Sequence, residues 1–113
     1  MRIKVESGSR SVVFELNDSS ASKSLMSQLP MAIKVENYSN DEKIFYPEKK
    51  LDTTGTPLAR AKAGTLAYYA PWGDVVMFYE SFGSASGLYQ LGQATSGVEN
   101  IALLSGQIDI TVC

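Results

Sequence analysis

Apolar and polar residues alternate along most of this chain with the period of a β-strand. Ile3 and Val5 fall on one side of the first run, and Arg2, Lys4 and Glu6 on the other. Gly8 and its serine neighbours mark a turn, after which Val12, Phe14 and Leu16 share a face, which predicts an N-terminal hairpin. The spacing then changes. Asn17-Asp18-Ser19-Ser20 carries side chains that accept hydrogen bonds from the free N–H groups of a first helical turn. Ala21, Leu25 and Leu29 follow four residues apart, with Met26 widening the stripe. A helix is predicted over Asp18–Leu29, stopped by Pro30 because the residue before a proline is pushed out of the α region.

Alternation resumes over Met31–Tyr38, and a short strand over Lys43–Tyr46 ends at Pro47. Glu48–Lys62 has no sustained period and reads as a long loop packed over the body of the domain. Two strands, Leu66–Tyr69 and Val75–Tyr79, are joined through Pro71-Trp72-Gly73. After the Gly/Ser-rich loop Ser81–Gly87 come a strand over Leu88–Thr95, a helical turn carrying Val98, Ile101 and Leu104, and a last strand, Gln107–Val112. Gly83, Gly87, Gly92 and Gly97 read as turn and bulge glycines.

Seven or eight short strands with one principal helix leave too few helices for a parallel βαβ sheet. The expected fold is mainly β: a closed antiparallel barrel, which removes exposed sheet edges, with the helix covering one open end. Within the central hairpin, alternation places Val75, Met77 and Tyr79 on one face and Val76 and Phe78 on the other. The first set is assigned to the core, with Met77 buried, Phe78 the less buried neighbour, and Phe78 bordering a groove with Trp72.

A length of 113 residues suits a single domain, 1–113, able to bury roughly 65% of its unfolded surface. All ten Lys and Arg precede Ala63, and only Asp74, Glu80, Glu99 and Asp109 carry charge after it. The first part balances its bases with eight acids, so neither part has the basic stripe of a nucleic-acid binder. No apolar run approaches the roughly 20 residues of a membrane helix, and the N-terminus lacks the apolar core of a signal peptide. A cytoplasmic location is expected, with no membrane partner.

The chain has no histidine and one cysteine, the terminal Cys113, which reads as an idle tail. This removes internal disulfides, His/Cys zinc sites and any nucleophile activated by an imidazole. Phosphate-loop and dinucleotide motifs are also missing, so neither metal nor cofactor is expected. Asp41-Glu42 reads as a solvated turn, with nothing in the sequence bringing either acid near Asp74.

Aromatic residues are the remaining signal. Trp72, the single tryptophan, stands at a turn, where a large apolar side chain needs a partner. Arg60 is the only arginine beyond the first ten residues and precedes the aromatic hairpin, in a position suited to a carboxylate or carbonyl. The candidate ligand-binding residues are Arg60, Tyr69, Trp72, Phe78 and Phe82, serving a peptide or small molecule.

Several strings, in order, carry a family likeness: Asn17-Asp18, Leu29-Pro30-Met31, Glu42-Lys43-Ile44 before Tyr46-Pro47, Ala63-Gly64-Thr65-Leu66-Ala67-Tyr68-Tyr69, Pro71-Trp72-Gly73, Phe78-Tyr79 and Gly87-Leu88 with Leu91-Gly92. On these the chain resembles the small bacterial and archaeal cyclophilin-like fold proteins. The resemblance implies a cyclophilin-like barrel closed by a helix. It implies less about activity, because no Phe-x-x-x-x-Gln stretch of the prolyl isomerases is present. Three functions follow as expectations. The first is a binding module. The second is a prolyl isomerase of low or altered activity, with Arg60 as donor and Phe78 or Tyr69 as pocket. The third is a homo-oligomeric or partner-docking domain, whose edge strands after Lys62 lack protective lysines.

Overall fold

The computed structural model describes residues 1–113. Nine strands form one antiparallel sheet: β1 (Arg2–Ser7), β2 (Arg10–Leu16), β3 (Met31–Lys34), β4 (Glu36–Tyr38), β5 (Glu42–Phe45), β6 (Thr65–Tyr69), β7 (Asp74–Phe78), β8 (Leu88–Ser96) and β9 (Gln107–Val112). Their order is β3-β9-β1-β2-β8-β6-β7-β5-β4. The two outermost strands, β3 and β4, are therefore consecutive in the chain. Met31–Tyr38, expected as one strand, is two, because its halves pair with different partners. Met31–Lys34 runs along β9, and Glu36–Tyr38 along β5. Between them Val35 is buried, and its N–H donates to the Gly106 carbonyl at 2.9 Å. That residue is the seam at which the sheet curls round to near closure as a barrel.

The helix α1 (Ser20–Met26) is shorter than the predicted Asp18–Leu29. Ser19 caps it, its hydroxyl accepting from the Ser22 N–H at 3.2 Å. Asn17 Oδ1 accepts in turn from the hydroxyls of Ser19 and Ser22. Past Met26 the chain tightens into i→i+3 bonds, Gln28 N–H to Leu25 O and Leu29 N–H to Met26 O, as it turns toward Pro30. The helix seats Ala21 and Leu25 in the barrel interior. The 3₁₀ turn Val98–Leu103 adds Ile101, and Leu104 follows it into the same core.

The interior holds Ile3, Val5, Val12, Phe14, Leu66, Tyr68, Val75, Met77, Ile108 and Ile110 among its buried residues. Val75 and Met77 face inward as the alternation predicts, with Tyr79 packed against them at the margin. Phe78 corrects the expectation of unequal burial, being 1% exposed against 0% for Met77. The reason is a second apolar cluster on the outer face of the sheet: Ile44, Ala59, Ala61, Ala67, Val76, Phe78 and Leu88. The segment after Pro57 runs along that face, with Ala59 N–H donating to Leu88 O and Ala61 N–H to Gly83 O. β7 is thus covered on both sides, and every residue from Asp74 to Phe78 is buried.

Candidate functional site

Beside the outer cluster lies a cavity of about 190 Å³. Its floor comes from β7, where Asp74, Val76 and Phe78 share the outward face. Neighbouring strands add Glu42 and Tyr69, Tyr38 rises from the edge, the loop before β8 contributes Phe82 and Ala85, and β8 itself begins with Leu88. Trp72 closes one end. The turn that carries it is held by Trp72 and Gly73 N–H groups donating to Tyr69 O, and Gly73 takes a φ of 72°, which favours glycine. Trp72 is 49% exposed and sits edge-on between two tyrosines, its ring centroid 5.1 Å from Tyr38 and 5.5 Å from Tyr69. At the other end Phe82 lies over Phe78 with centroids 5.3 Å apart.

Of the five residues singled out in the sequence, Tyr69, Trp72, Phe78 and Phe82 line this one cavity. Arg60 does not. It is exposed and alternates with the buried Ala59 and Ala61, so the extended backbone turns it away from the cluster those alanines join.

Two acids that sequence reasoning set aside are part of the lining. Glu42 is no solvated turn residue: it opens β5, opposite Phe78, and is 93% buried, its exposure being 7%. Asp74 is 2% exposed, and its Oδ1 has no hydrogen-bond partner. Burial, with the charges of Asp41 and Asp74 adding to it, pushes the Glu42 carboxyl up from 4.5 to about 7. Burial likewise pushes Asp74 from 3.8 to about 6. The Tyr46 hydroxyl is raised by desolvation and by the nearby Asp74 and Glu36 charges. No lysine or arginine lines the cavity. Carboxyls with these values give up or take a proton near neutral pH, as functional acids in clefts do. One signal was available in the sequence. Asp74 falls in step with Val76 and Phe78, and Glu42 with Ile44, so each acid occupies an apolar-face position of a strand.

Comparisons with known proteins agree on the architecture. The solution structure of a hypothetical protein from Archaeoglobus fulgidus superposes with a TM-score of 0.75 at 15% identity, covering 100% of this chain and 95% of that one. At that identity the likeness concerns the fold. No protein of curated function matches the sequence. No helix is long and apolar enough to cross a membrane. The sequence pattern of the Cyclophilin-like family matches residues 5–113, and with the nearly closed antiparallel sheet described above, the chain belongs to the Cyclophilin-like family.

Proposed function

We propose that this protein is a binding module whose ligand, a small molecule or a single side chain of a peptide, enters the cavity between Trp72 and Phe82. One observation carries the reading: an outward-facing cavity in which eight of ten lining residues are hydrophobic, five of them aromatic, and the two others are buried acids. Ligand sites are concave and mostly apolar, with a few convergent polar groups. The volume of about 190 Å³ is below the roughly 300–1,000 Å³ of sites for drug-sized molecules, which sets the scale of the ligand. Aromatic walls half open to water, such as Trp72 at 49% and Phe82 at 46% exposure, supply apolar area that a ligand would cover.

Trp72 is the only tryptophan and reports on its own site. A fragment screen read by Trp72 emission and by thermal shift should yield ligands whose effect is lost in Phe82→Ala, a change at an exposed position. A library that leaves both emission and melting temperature untouched would remove the proposal.

A further inference from the structure

The cavity wall has one electrostatic sign. Asp74 is almost wholly buried, keeps an unpartnered carboxylate oxygen and lines the space directly. Glu42 lines it as well. Neither acid forms an ion pair. Neighbouring lysines do not answer them. Lys43 alternates to the opposite face of β5 and bonds to Asn37 Oδ1, and Lys50 passes beside Gly73 without an ion pair. The remaining walls include five aromatic rings, whose π faces are negative and attract cations.

Each class of ligand meets this wall differently. An anion is repelled by it. A neutral apolar molecule fills the space and leaves the Asp74 oxygen without a partner, an arrangement buried polar groups avoid. A hard divalent cation needs about six or more oxygens, and Asp and Glu side chains nowhere gather in threes. A positively charged nitrogen with an apolar body answers the Asp74 oxygen and the aromatic walls together.

We propose that the cavity binds a small organic ammonium ion, its cationic head held between Asp74 and the aromatic group Tyr38–Trp72–Tyr69 and its apolar body lying toward Phe78 and Phe82. The head is assigned to the Asp74 end for two reasons. Asp74 has an orphaned oxygen, and its strand partner Tyr69 meets Trp72 beside it at a centroid distance of 5.5 Å, while Tyr38, paired with Glu42 across β4 and β5, reaches Trp72 from the other side at 5.1 Å. The proposal rests on the reading of this cavity as a ligand site and adds the charge of the ligand.

Choline and its neutral carbon isostere, 3,3-dimethylbutan-1-ol, isolate that charge at constant shape. Titrations at pH 8, followed by calorimetry and Trp72 emission, should give an affinity for choline at least ten-fold above that for the isostere. Asp74→Asn should cut choline binding about ten-fold and leave the isostere within two-fold. Trp72→Ala, at an exposed position that folding tolerates, should weaken choline by a similar factor in calorimetry, which covers a failure of the Asp74 variant to fold. A short capped peptide carrying trimethyllysine separates the sources of the ammonium group. Binding well above that of choline identifies a peptide side chain, and binding equal to it identifies a free small molecule. Equal or better binding of the neutral isostere, or choline binding indifferent to Asp74→Asn and Trp72→Ala, overturns the charge assignment while the cavity remains a ligand site. If choline, the peptide and the isostere all fail while neutral fragments bind, the charge assignment again falls alone. If nothing enters the cavity, both readings fall.

Discussion

Glu42 and Asp74 stand on paired strands, face the same cavity, and are both left without a basic partner. Strand register sets them apart along the sheet. Glu42 lies opposite Phe78, and Asp74 is four residues back along β7, a separation of about 13 Å along the strand at the usual rise per residue. The acids thus stand at different levels of one groove, with Val76 between them on the outward face of β7.

This arrangement predicts how stability depends on pH. Both carboxyls have folded values above their ordinary ones, about 7 against 4.5 for Glu42 and about 6 against 3.8 for Asp74. The folded chain therefore binds more protons than the unfolded chain between about pH 4 and 7, and stability falls as pH rises through that window. Around Asp74 and Glu42 stand Asp41, Glu36, Tyr38, Tyr46 and Tyr69, with Lys50 alongside Gly73, so acids dominate the surroundings. Glu15 and Asp52 act in the opposite sense. Hydrogen bonds from the Met1 amino group and Arg2, and from Thr54, hold them low, so their contribution is lost as pH falls below the ordinary carboxylate range. At about 1.4 kcal/mol per pKa unit, the protein should lose on the order of a few kcal/mol between pH 5 and pH 8. Denaturant melts across that range check this, and Glu42→Gln with Asp74→Asn should flatten the decline. A stability that rises from pH 5 to 8 would contradict it.

Two aromatic truncations at the groove should separate binding from folding. Phe78 is enclosed between the sheet and its cover, so Phe78→Ala should cost about 3–5 kcal/mol. Trp72 is half exposed and held mainly by two edge-on ring contacts, each worth about 0.5–1.5 kcal/mol. Its replacement by alanine should therefore cost clearly less than that of Phe78 while affecting ligand binding strongly. Midpoints of urea unfolding for the two variants make the comparison, and equal losses would show that Trp72 is part of the folding core.

Tyr68 points into the barrel, where its hydroxyl accepts the Leu51 N–H at 3.2 Å. Tyr68→Phe keeps the ring and strands that buried donor, at a cost of about 1–3 kcal/mol. Hydrogen exchange at the Leu51 amide should speed up more than at β1 or β9 amides. Unchanged exchange there would mean that the bond does not hold the loop after Pro47.

Gly92 is a point of close backbone approach between β2 and β8. A Cβ built on it falls 2.2 Å from the Glu15 carbonyl oxygen, a backbone atom that cannot swing aside. Gly92→Ala should cost at least about 1–3 kcal/mol through forced separation of the two strands. Thermal melts settle this, and a neutral outcome would show that β2 and β8 part easily near the Val13/Phe14 register shift between them.

Arg60→Ala should leave stability within about 0.5 kcal/mol, as expected for an exposed side chain. Binding of any fragment found in the cavity should also be unchanged. A loss of binding would place Arg60 at the ligand by a route the alternation of Ala59 and Ala61 does not suggest.

The period-two pattern by itself determined the β class and the grouping of Val75 with Met77 and of Val76 with Phe78, because in a strand alternate side chains share a face whatever the partner strand. Capping chemistry likewise confined the helix start to Asn17–Ser20, and the structure makes Ser19 the cap. Three things depended on tertiary structure. The break at Val35 arises from closure, since only the curled sheet offers β9 to one half of the segment and β5 to the other. The burial of Phe78 arises from the cover laid by Ala59, Ala61 and Leu88, residues distant from β5 or β7 in sequence and silent in any local period. The placing of Glu42 and Asp74 on one cavity arises from the pairing of β5 with β7 across a connection of some thirty residues, and only that pairing turns two ordinary acids into walls of the same groove.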